Sequence, residues 1–112
     1  MKVALLTIDF PPGIIGGVSA WSIDMAWALH QAGHEVDVYA KKVGDTCAHD
    51  NDLPFTVNRV RGRSWARWGA LWMSLATRGR IHEYDLVLAA SWVICTRLKP
   101  HPRLCIAFHG SE

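Results

Sequence analysis

Residues 2–17 read KVALLTIDFPPGIIGG. The first seven, KVALLTI, form a nearly continuous apolar run with β-branched members, the pattern of a strand buried on both faces in a parallel sheet. Asp9 and two prolines end it. Gly13, Gly16 and Gly17 follow, and then Val18, Trp21, Met25, Ala28, Leu29 and Ala32 recur at helical spacing. A short strand-to-helix connection needs one glycine at most. Three glycines let the main chain come close to another molecule.

Outward from this stretch, Gly33 stops the helix as a carboxyl-terminal cap. HEVDVYA (34–40) alternates as a second strand, which completes a strand–helix–strand unit of right-handed sense. Residues 41–54 are polar and turn-rich and read as a loop, and FTVNRV (55–60) reads as a third strand. Ser64 stands where it would cap a helix from Trp65 to Arg80, with Trp65, Trp68, Trp72 and Leu75 on one face. YDLVLAA (84–90) reads as a strand, SWVICTRL (91–98) as a short helix, and RLCIAFH (103–109) as a last strand. The alternation predicts an α/β, Rossmann-like, doubly wound and mostly parallel sheet with flanking helices. Ligands of such sheets sit beyond the carboxyl ends of the strands. The loop from Asp9 to Gly17, the pair Ser91–Trp92, and the stretch from His109 to Glu112 are expected at that edge.

A chain of 112 residues, half of them hydrophobic, supports one small domain and not two. Cys47, Cys95 and Cys105 are scattered and contain no Cys-x-x-Cys pair, which favours a reducing, cytoplasmic setting over a disulfide framework. His101, Cys105 and His109 are evenly spaced, but on a strand positions four apart lie about 13 Å from one another at ~3.3 Å per residue. One ion would not reach all three, so no metal is implied. No secretory signal or membrane-spanning run is evident in the sequence.

Glycines just before a helix let main-chain N–H groups face an anion, with the helix dipole adding to the attraction. Gly16 and Gly17 are therefore candidate phosphate contacts, although the same pair would also serve a tight connection. The P-loop ending Gly-Lys-Ser/Thr is absent, and Gly13-x-x-Gly16-Gly17 is not the dinucleotide spacing Gly-x-Gly-x-x-Gly. Lys41 and Lys42 end the second strand in place of an acid suited to a ribose. Both departures disfavour a dehydrogenase-type cofactor domain. Asp9 reads more simply as capping its loop than as touching a ligand.

In order along the chain stand Phe10-Pro11-Pro12, Gly16-Gly17, Gly33-His34-Glu35-Val36, DLVLAASW (85–92) and IAFHGSE (106–112). In this register the chain resembles the amino-terminal domain of glycosyltransferase family four, of the GT-B fold, over nearly its whole length. The resemblance implies retaining transfer of a sugar from a nucleotide-sugar donor to a sugar or lipid-linked acceptor, with the nucleotide-sugar as substrate and no separate cofactor or metal. It implies that Gly16 and Gly17 approach the donor diphosphate and that His109 lies near the reacting centre as the catalytic candidate. Asp9, Ser91 and Trp92 would then edge the acceptor side. The donor would bind a second domain carrying two glutamates seven residues apart. That domain is not in this chain, so residues 1–112 read as an acceptor-side domain, truncated and inactive alone. The alternative is a stand-alone α/β binding or interaction module without catalysis.

Six arginines, Arg59, Arg61, Arg63, Arg67, Arg78 and Arg80, surround the tryptophan-rich helix. The plainer reading is that the tryptophans cover the sheet. The sharper ones are a membrane surface, at the inner face of a membrane, or a second copy of the chain in a homodimer. A nucleic-acid partner is not supported by anything else in the sequence.

Overall fold

The computed structural model describes residues 1–12, 17–91, 93–98 and 101–107. In chain order the elements are β1 (Lys2–Thr7), α1 (Gly17–Gln31), β2 (Glu35–Lys41), α2 (Cys47–Asn51), β3 (Thr56–Val60), α3 (Trp65–Thr77), a 3₁₀ turn (Ile81–Glu83), β4 (Leu86–Ala89), a second 3₁₀ turn (Val93–Cys95) and β5 (Leu104–Ile106). The strands form one parallel sheet in the order β3-β2-β1-β4-β5. The Rossmann-like α/β expectation holds.

Alternate residues of each strand serve two separate cores. Leu5, Val36, Val38 and Ala40 face α1 and pack with Phe10, Ala26 and Phe55. Ala4, Leu6, Tyr39, Val60, Val87 and Ala89 face α3 and pack with Trp65, Met73 and Ile94. Burial on both faces is what makes β1 read as an unbroken apolar run.

α1 ends as expected. Gly33 has φ +91°, its N–H donates to the carbonyl of His30, and that of His34 donates to Leu29. These are the two bonds of a Schellman cap, which places a left-handed residue at Gly33. Glu35 then enters β2 by donating to Met1 at 2.9 Å.

Five local expectations are corrected. The stretch 41–54 is not all loop: Cys47–Asn51 form a single helical turn and a half. Ser64 lies at the start of α3 but makes no side-chain cap; it adopts left-handed φ 51°, ψ 58°, and its carbonyl accepts from Arg67 and Trp68. The buried line of α3 is Trp65, Gly69, Met73 and Thr77, so Trp68 and Leu75 do not share a sheet-covering face with Trp65. In α1 the buried residues are Ser19, Ser22 and Ala26, with Trp21 and Leu29 on the flanks and Ala28 and Ala32 exposed. Among the described residues, the expected strands 84–90 and 103–109 are paired over the spans of β4 and β5.

One carboxylate is buried at the amino end of the sheet. Tyr84 donates to Asp37 at 2.7 Å, and the Tyr39 and Tyr84 hydroxyls are 2.7 Å apart. Tyr84 has one proton and gives it to the carboxylate, so Tyr39 donates to Tyr84. Burial, with these two bonds, pushes the Tyr84 hydroxyl far above the ordinary phenol range.

Candidate functional site

Because the strands are all parallel, their carboxyl ends share one edge. Chain order reverses direction between β1 and β4. β1 leads into α1 on one face, whereas the turn after β4 packs with α3 on the other, through Ile94 of the α3-side core. The connections thus leave the sheet on opposite faces, which makes the β1/β4 edge the topological switch point, where such sheets usually form a ligand crevice.

Hydroxyls fix the β1 side of that crevice. Thr7, fully buried, donates to the carbonyl of Asp9 at 2.9 Å. Ser22 Oγ lies 2.9 Å from Thr7 Oγ1 and 2.7 Å from the Val18 carbonyl, tying the strand end to the first turns of α1. Asp9 thus shapes the loop edge through its main chain; its carboxylate makes no hydrogen bond to the described residues. Across the crevice, Ala90 donates to Leu6 at 2.8 Å, which brings Ser91 beside the end of β1. Ser91 Oγ accepts from Val93 N–H at 3.3 Å and starts the 3₁₀ turn.

Gly17 opens α1. It is exposed, and a Cβ built on it would meet no atom within 4 Å. The first four N–H groups of a helix lack intrahelical partners and favour an anion. Ser19, one position into the same turn beyond Val18, is 1% exposed and its hydroxyl has no hydrogen-bond partner among the described residues. A buried polar group in that state is costly unless something completes it.

The loop 9–12 is held from a distance by Arg59. Its guanidinium donates to the Pro11 carbonyl at 2.6 Å and to the Lys41 carbonyl at 3.3 Å, and lies 5.5 Å from the centre of the Phe10 ring. It also makes a two-pronged pair with Asp50 of α2, both contacts at 2.9 Å. Both side chains are nearly buried. Burial works to raise the Asp50 carboxyl, but the bonds from Arg59, His49 and Thr46 outweigh it and hold the group below the usual carboxylate range. Arg59 is therefore not part of a surface arginine patch, as the run of arginines suggests. Nothing in the local sequence marks it, because its partners lie nine and 48 residues away.

The structure brings Asp9, Gly17 and Ser91 to one edge. Gly16, Trp92 and His109 lie outside the described residues. Ala107, two residues before His109, donates to Ala89 at 2.9 Å, so β5 leads toward the same edge. Among the described residues no group of three His, Cys, Asp or Glu side chains is placed to hold a metal ion.

Residues 15–112 match the family model described as Glycosyltransferase Family 4. The chain belongs to glycosyltransferase family 4. Over 102 residues this family 4 chain is 34% identical to an uncharacterized glycosyltransferase of Methanocaldococcus jannaschii, a match that covers 83% of the chain and 25% of that relative. The chain thus spans about a quarter of the relative's length. No solved structure matches it.

Proposed function

We propose that this chain is part of the acceptor-side, amino-terminal domain of a retaining GT-B glycosyltransferase that uses a nucleotide-sugar donor. The β1–α1 junction carries the reading: an open glycine at a helix start, at the switch point of the sheet, in a chain of this family. In the proposed reaction the bond between the anomeric carbon and the diphosphate oxygen breaks, the acceptor hydroxyl oxygen takes the sugar and releases its proton to the departing diphosphate, on which charge gathers. The amides at Gly16 and Gly17 would stabilise that charge as fixed donors. His109 would stand near the reacting carbon as a neutral-pH donor or acceptor, with Asp9, Ser91 and Trp92 along the acceptor edge. The donor's base and sugar bind a second domain, so residues 1–112 alone do not turn over.

The test is Gly17→Ala in the complete enzyme, read by nucleoside diphosphate release from a panel of nucleotide sugars. The new methyl meets no protein atom, and alanine favours a helix by up to ~1 kcal/mol over glycine. Thermal stability should hold or rise while turnover falls roughly tenfold or more, because the methyl stands where the diphosphate must approach. Unchanged turnover would remove Gly17 from the donor site. The anomeric configuration of the first product, followed by NMR, decides retention.

A further inference from the structure

The outward side of α3 takes no part in the crevice. Only Arg67 is charged among its thirteen residues. Opposite the buried line, Trp68 is 39% and Leu75 49% exposed, and Leu71 lies half-exposed between them. A surface helix normally turns a polar face to water; this one turns tryptophan and leucine. The frame around it is cationic. From Leu53 to His82 the chain has six arginines and no aspartate or glutamate. Arg59 is neutralised by Asp50, and Arg80 comes within 3.9 Å of Asp37. Arg61, Arg63, Arg67 and Arg78 are exposed and form no ion pair among the described residues. The Arg67 guanidinium sits 5.2 Å from the centre of the Trp68 ring, which sets a cation directly beside the exposed indole.

We propose that this face docks on an anionic lipid bilayer. Trp68 and Leu75 enter the boundary between headgroups and acyl chains, and Arg63, Arg67 and Arg78 meet lipid phosphates. Charge and apolar exposure together select this occupant. A soluble phosphate would engage the arginines and leave Trp68 and Leu75 in water. A second copy packed through the same face would set arginine against arginine, since a two-fold contact joins like surfaces. Nucleic-acid bases stack on aromatic rings in series, whereas this face exposes one ring and the aliphatic Leu75. No described helix is long and apolar enough to cross a membrane, so α3 lies on the surface and does not span it. The proposal stands apart from the transfer reaction and survives its failure.

The test is co-sedimentation of the full protein with vesicles of phosphatidylcholine alone and of phosphatidylcholine mixed with phosphatidylglycerol. Binding is expected to the mixed vesicles only, weakening as salt rises. Arg63→Gln, Arg67→Gln and Arg78→Gln together should weaken it roughly hundredfold, at about fivefold per arginine. Trp68→Ser with Leu75→Ser should weaken it roughly tenfold or more, with melting curves confirming that these exposed changes leave the fold intact. Absence of binding to mixed vesicles, equal binding to neutral ones, or indifference to the Trp68/Leu75 pair would each overturn the proposal. So would sedimentation velocity showing a dimer that Leu75→Arg splits, since the face would then belong to a second copy.

Discussion

Replacing Arg59 by methionine tests whether the loop beside the crevice is pinned by charge. Methionine keeps much of the aliphatic stem but removes the guanidinium over the Phe10 ring, its two bonds to Asp50 and those to the Pro11 and Lys41 carbonyls. Removing one partner of a buried pair costs ~3–5 kcal/mol where the other is left without support. Asp50 keeps its contacts with Thr46 and His49 and is 12% exposed, so about 2–3 kcal/mol is the expected loss. That leaves a folded protein if its stability lies in the usual range of roughly 5–15 kcal/mol. The sign with pH follows from the depressed Asp50 carboxyl. Its contribution is present above the unfolded pKa, about 3.9, and is lost as pH falls through the lower folded value. Urea unfolding of the two proteins should therefore differ most near neutral pH and converge on acidification below about pH 4. Arg59→Met with Asp50→Asn should recover part of the loss, and hydrogen exchange at Ile8, Asp9 and Phe10 should quicken in the single variant. A difference independent of pH, with no recovery in the double variant, would refute the charge argument and leave only packing.

Tyr84→Phe removes the donor to Asp37 and the acceptor of Tyr39, leaving a buried carboxylate beside Arg80 alone. It should lower stability by about 2 kcal/mol, seen as a clear fall in Tm; an unchanged Tm would show that water replaces the hydroxyl. Gly62→Ala drives a methyl into the Trp72 indole, which is fixed by its bond to the Arg63 carbonyl at 2.8 Å. The ring must swing out, at about 1–2 kcal/mol, and Trp72→Leu in the same background should restore part of the loss. Additive losses would deny the clash. Ser19→Ala removes a buried hydroxyl that has no partner among the described residues, so thermal melting should show equal or greater stability. A marked loss would mean that a bound water already completes the group.

The elements that could be read in the sequence are those where burial and residue size agree. β1 and β2 are buried on both faces, and Gly33 is required by a left-handed cap, so both signals are strong in the residues themselves. The helix faces were harder to assign for one shared reason. α1 and α3 approach the sheet with small residues: Ser19, Ser22 and Ala26 in one, Gly69 in the other, where the Trp65 ring is 3.0 Å from a Cβ built on the glycine. A reading weighted by hydrophobicity follows the large side chains, which flank the line of closest approach and do not form it. α2 is too short to show a period, and its use, to present Asp50 to Arg59, depends on a contact between elements. Of the site, Asp9, Gly17 and Ser91 were legible because strand ends and glycines mark the edge of any parallel sheet. The Arg59 clamp was not, since no motif links its three partners.

Arg59 also sets the order in which the site can take shape. In a chain made from its amino terminus, Pro11 emerges early, but the side chain that holds it comes 48 residues later. Until β3 has joined β2, the loop lacks its Arg59 anchor and is held only by the Thr7 bond to the Asp9 carbonyl and the packing of Phe10. The dependence persists after folding. β3 is the outermost strand on its side of the described sheet, and terminal strands open more readily than central ones. Each excursion of β3 loosens the loop at the far side of β2 by removing the hold on Pro11. A ligand that steadies the loop would in turn slow the fraying of a strand it never touches.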